Sequence, residues 1–467
     1  MGRIQVVAVL CLAACGRSGY ERELPAEVGD EDENAGDGDG GEGEQAPELI
    51  VEPIVAGAAT SWNSYMRYPG ETLDFVYEPC VSPSLYRDCV HAGELRRVAV
   101  PGAASCSELG ITASPAAFEW RCSDTPNGAV FTTKRLAPGI GLRDLIDFAA
   151  RSFRPISVTV TQTGQAPRVS AETVWWDNTV RVVPAAGEDG RIVIDDPGVV
   201  YLVPQTLAAH GIDLRADGVA LVGAPQARLT PASTPPVRTC QSLSVGTHVP
   251  SARACLLHAD AVDRVWIEID TDAAAFAGMA LVLDNTELAR VHRSRFAPVA
   301  DHGMQLRGAI ACRLTDVTIE RGNNNVVFAS SGNLFANLRV AGGDVYLFSS
   351  DENVFDALTT FGAFAGINLN GSSGRNAFVN SLSFSHGGHG VQLAGSNNFA
   401  NVFVGTTLAA TTLAGAGMWS SDRTTFHLSA IVNAGEHGID LTSRAATVSH
   451  LLTGANNFAG VEIQNLA

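Results

Sequence analysis

One short phrase recurs through the second half of the 467-residue chain: glycine, an apolar residue, any residue, then Leu or Ile. It stands at Gly211-Ile212-Asp213-Leu214, Gly278-Met279-Ala280-Leu281, Gly303-Met304-Gln305-Leu306 and Gly366-Ile367-Asn368-Leu369. It returns at Gly390-Val391-Gln392-Leu393, Gly438-Ile439-Asp440-Leu441 and Gly460-Val461-Glu462-Ile463. Counting degenerate copies near Val326, Val345 and Met418, the spacing from residue 278 onward is roughly 19 to 27 residues. Repetition at such a period means one supersecondary unit stacked on itself. Apolar residues at alternate positions make each copy a short strand with one face inward.

A second phrase falls between copies of the first. Asn333-Leu334-Phe335, Asn353-Val354-Phe355, Asn376-Ala377-Phe378 and Asn397-Asn398-Phe399 follow one another at 20, 23 and 21 residues, and Phe426 continues the aromatic position. A residue repeated once per turn stacks on its own copy in the next turn. The expectation is an internal aromatic column of Phe335, Phe355, Phe378, Phe399 and Phe426. Beside it, Asn333, Asn353, Asn376 and Asn397 form a ladder of side-chain amides. Asn456-Asn457-Phe458 falls at another turn of the coil and is left out of both.

Strands, glycine turns and Asn and Phe ladders at a period near 22 resemble the right-handed parallel β-helix of the pectin-lyase-like superfamily and its secreted bacterial repeat proteins. The clear resemblance covers 270–467, with weaker rungs from 191, so 191–467 is read as the β-helix. At about 4.8 Å per rung, eight or so rungs make a rod roughly 40 Å long. Leucine-rich repeats share the period but need several leucines and a helix per repeat. The chain stops at Ala467 just after a strand phrase, and an uncapped last rung invites pairing, so either the C-terminus packs on a partner or another copy, or the sequence is truncated.

The N-terminus reads as an address. A short start with Arg3, an apolar run from Ile4 to Leu12 and then Leu12-Ala13-Ala14-Cys15 resemble the signal peptide and lipobox of bacterial lipoproteins. The resemblance implies cleavage before Cys15, lipid attachment to its thiol and an outer-membrane or cell-surface location. Residues 16–49 are rich in Glu, Asp and Gly and lack an apolar period, which predicts a disordered acidic tether. The net charge of −18 argues against nucleic acid as a partner.

Seven cysteines lie beyond the anchor, six of them in close pairs: Cys80 with Cys89, Cys106 with Cys122, and Cys240 with Cys255. Disulfide closure fits an exported chain, the pairing resting on proximity. Metal binding is the competing reading, but no C-x-x-C occurs and the histidines do not cluster with the cysteines in sequence, so no metal is expected. Cys312 is expected to be a buried small apolar residue. Residues 50–135 read as a disulfide-stapled β-rich module around Trp62, Tyr65, Phe118 and Trp120, with His91 structural. Residues 136–190 read as a connection in which Leu142, Leu145, Ile146 and Ala149 at helical spacing predict a helix capping the β-helix. Trp175 and Trp176 read as half-buried core ahead of a sugar-stacking pair.

The chemistry is thin. Gly388-His389-Gly390 resembles the Gly-His-Gly of polygalacturonase-type glycosidases, but the aspartate trio and basic clamp of that family are missing. His-Gly also precedes the strand phrase at His210, His302 and His437, so it belongs to the repeat as a turn. His389, His437 and Asp440 remain the catalytic candidates. Calcium-assisted lyase chemistry would draw on Asp351, Glu352 and Asp356, or on Asp422 with Arg423, and only that alternative brings in a cofactor. The expected function is glycan or cell-envelope binding without catalysis; the alternative is a polysaccharide lyase or glycoside hydrolase with degenerate motifs.

Overall fold

The computed structural model describes residues 50–52, 96–101 and, with short gaps, 105–463. The signal segment with Cys15, the tether, Cys80, Cys89, Trp62, Tyr65, His91, Trp175 and Trp176 lie outside the described residues.

From Val180 onward the chain winds into a parallel β-helix of about eleven turns. Its first sheet has twelve strands, from Val180–Val182 to Thr447–Ser449. The second runs from Arg191–Ile194 to Val461–Ile463, and the third has eleven strands, from Leu207–Ala209 to Leu452–Gly454. One turn visits the second, first and third sheets in that order: Ile367–Asn370, Ala377–Val379, Leu382–Phe384. The chain then returns to the second sheet at Val391–Leu393, where Ile367 pairs with Val391 and Leu369 with Leu393. The coil thus opens about ten residues before the expected 191, because the early rungs carry neither an Asn nor a Phe to mark them.

The strand phrase is the second sheet. Ile367, Leu369, Val391 and Leu393 are fully buried in one continuous core. The unspecified third residue of the phrase faces outward, so Asn368, Gln392, Gly417, Asp440 and Glu462 stand one above another. The Gly278 copy is the exception: Leu281 pairs with Met304 and Leu283 with Leu306, two residues out of step with the phrase. Glycine opens the phrase because the chain turns in tightly there. A Cβ on Gly303 would meet Ile319 Cγ2 at 2.1 Å, and one on Gly438 would meet the Gly460 carbonyl oxygen at 2.2 Å. In the later rungs a single left-handed residue bends the chain between the first and third sheets, as at Asn337, Ala357, Asn380 and Gly405, with φ between 52° and 61°.

Both ladders exist, with a register the sequence misreads at one rung. Phe335, Phe355, Phe378, Phe403 and Phe426 stack with centroids 4.4 to 4.8 Å apart and planes within 7°. Asn333 Nδ2 donates to Asn353 Oδ1, Asn353 to Asn376 and Asn376 to Asn401, at 2.9 to 3.0 Å. The columns therefore hold Asn401 and Phe403 where Asn397 and Phe399 were expected. That turn is longer, and Asn398–Phe399 pairs instead with Ser421–Asp422 in a short strand of its own. Asn401-Val402-Phe403 carries the same Asn-x-Phe spelling, so two frames competed and the nearer spacing was the wrong one.

The N-terminal part is antiparallel. Ile50–Glu52, Arg96–Pro101, Gly128–Leu136 and Phe118–Thr125 form one sheet, and Cys106 is bonded to Cys122. Leu109–Ser114 pairs with Ser157–Gln162, so the module and the connection share strands. The expected helix shrinks to Leu142–Leu145, because Ile146–Asp147 turns away to pair with Ser152–Phe153. Leu142, Leu145 and Ile146 pack with Val200, Leu202, Val222 and Trp266 on the outer side of the first sheet. The segment covers a flank of the coil and does not cap its end. That flank is apolar on both faces: Tyr201, Leu221 and Ile267 point inward while Leu202, Val222 and Trp266 point out.

Candidate functional site on the outer face of the second sheet

On the late rungs the outward column of the second sheet lines up Asn368, Gln392, Gly417, Asp440 and Glu462. Asn368 is about nine-tenths buried, and its Oδ1, Gln392 Oε1 and Asp440 Oδ1 are shut from solvent without a hydrogen-bond donor. Buried oxygens of this kind cost free energy unless something donates to them. Between Gln392 and Asp440 the column holds Gly417, where a Cβ would come within 3.1 Å of the Trp419 ring and 3.2 Å of His389. Trp419, 38% exposed, meets His389 edge to face at 5.0 Å over that glycine floor. The result is a strip of acceptors beside a half-exposed indole.

Of the catalytic candidates, His389 and Asp440 do flank this strip. His389 is buried, its Nδ1 lies 3.3 Å from the Ala414 carbonyl, and burial lowers its pKa, so it stands uncharged at neutral pH. His437 pairs with Glu462 through Nε2 and accepts from the Ala459 N–H at Nδ1, 3.3 Å away. Acid–base cleavage of a glycosidic bond uses two carboxyl groups across the bond. In the described column Glu462 is already engaged by His437, which leaves Asp440. The calcium candidates sit elsewhere, at strand ends and the turns beside them. Asp351 accepts from the Gly374 N–H at 2.7 Å, Glu352 from Arg375 at 2.8 Å, and Asp356 from Asn380 at 3.5 Å. Asp422 and Arg423 are an exposed pair.

Two other polar groups are structural. Glu268 is fully buried where the Leu142–Leu145 segment docks; its Oε2 accepts from the Arg143 N–H at 3.1 Å, and burial pushes its pKa up to about 7. Cys312 is buried without a disulfide partner, and burial pushes its thiol up to about 11, which makes it inert.

The Cys240–Cys255 pair expected from proximity is a disulfide, and the fold sets His258 beside it. Sγ of Cys240, Sγ of Cys255 and a ring nitrogen of His258 lie within 4.8 Å of one another, and all three residues are buried. A second group shares the same ring, His258 with Asp260 and Asp284. The missed signal was Cys255-Leu256-Leu257-His258, a Cys-x-x-His step with a second cysteine 15 residues upstream.

A family described as NosD, periplasmic copper-binding protein, matches residues 284–461, less than half of the chain. Inside that stretch no three His, Cys, Asp or Glu residues converge among the described residues. No curated protein matches the chain. Among solved structures, endo-xylogalacturonan hydrolase from Aspergillus tubingensis aligns at 11% identity and TM-score 0.42, over 60% of this chain and 95% of that one. The catalytic domain of a GH87 α-1,3-glucanase aligns at 10% and 0.38, over 77% and 86%. The periplasmic alginate epimerase AlgG aligns at 9% and 0.31, over 60% and 79%. At these values no activity carries over to this chain.

Proposed function

We propose that this chain is an exported, lipid-anchored β-helix protein that binds extended glycans of a cell envelope along the outer face of its second sheet, without cleaving them. The observation that carries the reading is the outward row of Asn368, Gln392 and Asp440, stacked on successive rungs beside the part-exposed Trp419. Gln392 and Asp440 are part-accessible, so their amide and carboxylate groups can meet sugar hydroxyls, and a pyranose face stacks on the Trp419 indole. Two disulfides among the described residues fit an oxidising compartment.

The test is binding of a panel of purified polysaccharides by calorimetry, with product analysis on the same samples. Trp419→Ala weakens the bound glycan by roughly tenfold, the loss of one stacking contact of about 1.4 kcal/mol. Release of new reducing or unsaturated ends, abolished by Asp440→Asn, overturns the binding reading in favour of a lyase or hydrolase. The anchor is checked by fatty-acid labelling in the native host, which Cys15→Ser abolishes; persistent labelling refutes it.

A further inference from the structure

The geometry points to a binding site for monovalent copper formed by Cys240, Cys255, His258 and Met279, opened when a dithiol reductant cleaves the Cys240–Cys255 disulfide. The residues are brought together by one irregular element. Thr239–Leu243 folds back antiparallel on the first half of Pro250–Asp260, setting Cys240 opposite Arg253 and beside Cys255. The second half of the same long strand joins the coil and carries His258 between Asp213 and the following rung. On that next strand Met279 pairs with Cys255, is fully buried, and packs with both cysteines and Val282 in a cluster separate from the interior of the coil.

Two thiolates, a thioether and an imidazole are a soft donor set, and soft sulfur ligands select monovalent copper over hard cations. The rival set of His258, Asp260 and Asp284 is poorer for any cation, because Arg307 already holds Asp284 through two bonds of 3.0 and 2.8 Å. Those carboxylates have a different use. His258 Nδ1 lies 3.7 Å from Asp213 Oδ1 and Nε2 lies 3.5 Å from Asp284 Oδ2, so whichever nitrogen binds metal, the other faces a carboxylate. A ligating histidine is usually oriented by a carboxylate in this manner. Arg191, with bonds of 3.2 and 2.5 Å, fixes Asp213 in turn.

The chemistry balances simply. The reductant's two thiols give two electrons and two protons to the S–S bond and become a disulfide, leaving two cysteine thiols. Copper enters as the monovalent ion and stays monovalent, displacing the thiol protons to solvent. The disulfide is then the closed form of the site, and reduction is the gate.

The full chain, reduced and freed of reductant, is titrated with monovalent copper against a chromophoric copper chelator, alongside the oxidised chain. Reduction is expected to add one copper per chain that the double variant Cys240→Ser/Cys255→Ser lacks, whatever the other cysteines bind. Met279→Leu and His258→Gln, which leave the disulfide intact, each weaken that copper by about tenfold or more. Copper also shields Cys240 and Cys255 from alkylation, read by mass spectrometry. Equal copper uptake by the reduced chain and the double variant overturns the site. So does a reduced chain that loses its β-sheet signal before metal is added, or one that takes zinc in preference at equal free concentration. None of these outcomes bears on glycan binding at Trp419.

Discussion

The late rungs of the coil, about 333 to 441, and the early ones, about 191 to 307, solve the same packing problem differently. In the late rungs two columns stack on their own kind, phenylalanine on phenylalanine and asparagine amide on asparagine amide. The early rungs have no such columns. Their outward faces carry charged and apolar residues that need covering. Arg191, Asp213, His258, Asp284 and Arg307 link across the second sheet, and Leu202, Val222 and Trp266 lie under the docked Leu142–Leu145 segment. The Phe and Asn columns tie the late rungs to one another from within, whereas the early rungs carry a hairpin, a disulfide and a docked segment. Both regions bury an ordinary apolar interior, so the difference lies in the outer face and in the bends.

The largest effect tests the self-stacking half. Phe378→Ala empties the middle of a fully buried column and is expected to cost about 4 kcal/mol in denaturant unfolding. Phe399→Ala, in the copy that the sequence places in the same column, is expected to cost less than about 1 kcal/mol, because its ring lies beside Arg375 outside the stack. Equal losses at the two sites would break the distinction between the column and the extra strand.

The covered half answers to pH. Glu268 titrates near 7 in the folded chain against a usual 4.5, burial being the main cause, with the Arg143 and Arg293 guanidinium groups only partly offsetting it. Between those values the folded chain holds a proton that the unfolded chain has lost, so stability falls as pH rises from about 4.5 to 7. Glu268→Gln removes that penalty. The variant is expected to gain up to about 3 kcal/mol at pH 8 and nearly nothing at pH 4. A gain that is the same at both pH values would mean that the carboxyl is not titrating at the docked face.

Most of the late half was legible because inward positions repeat by residue type, and a glycine or a phenylalanine once per turn survives in plain sequence. The early rungs were less so: Gly278-Met279-Ala280-Leu281 spells the phrase but pairs two residues off, since a bulge-tolerant strand keeps its apolar face under a shift of two. The candidate site was hidden in the repeat itself. Asn368, Gln392 and Asp440 occupy the position that the phrase leaves unspecified, and only the stacking of rungs turns three unrelated polar residues into one strip. The helix at 142–149 failed for a different reason. Leu142, Leu145 and Ile146 do share an apolar face, but three buried positions are satisfied by one turn of helix and a hairpin as well as by a longer helix. Cys255 was legible as the disulfide partner of Cys240, but His258 was not, because a Cys-x-x-His step places the ring beside the bridge only once the strand folds back.

The smallest expected effect separates contacts that hold the coil from those that only decorate it. Arg295 grips Glu320 across two rungs of the third sheet with two bonds of 2.9 and 2.8 Å, the same bidentate form as Arg307 on Asp284. The exposed pair is nevertheless solvated at both ends, with side chains 45% and 35% accessible, whereas Asp284 is all but buried. Glu320→Gln is therefore expected to change stability by less than about 0.5 kcal/mol, and by nothing measurable in 1 M salt, where screening acts over about 3 Å. If Glu320→Gln instead cost as much as Phe378→Ala, the rungs would be held by their surface charges, and the contrast between self-stacking and covered rungs would lose its basis.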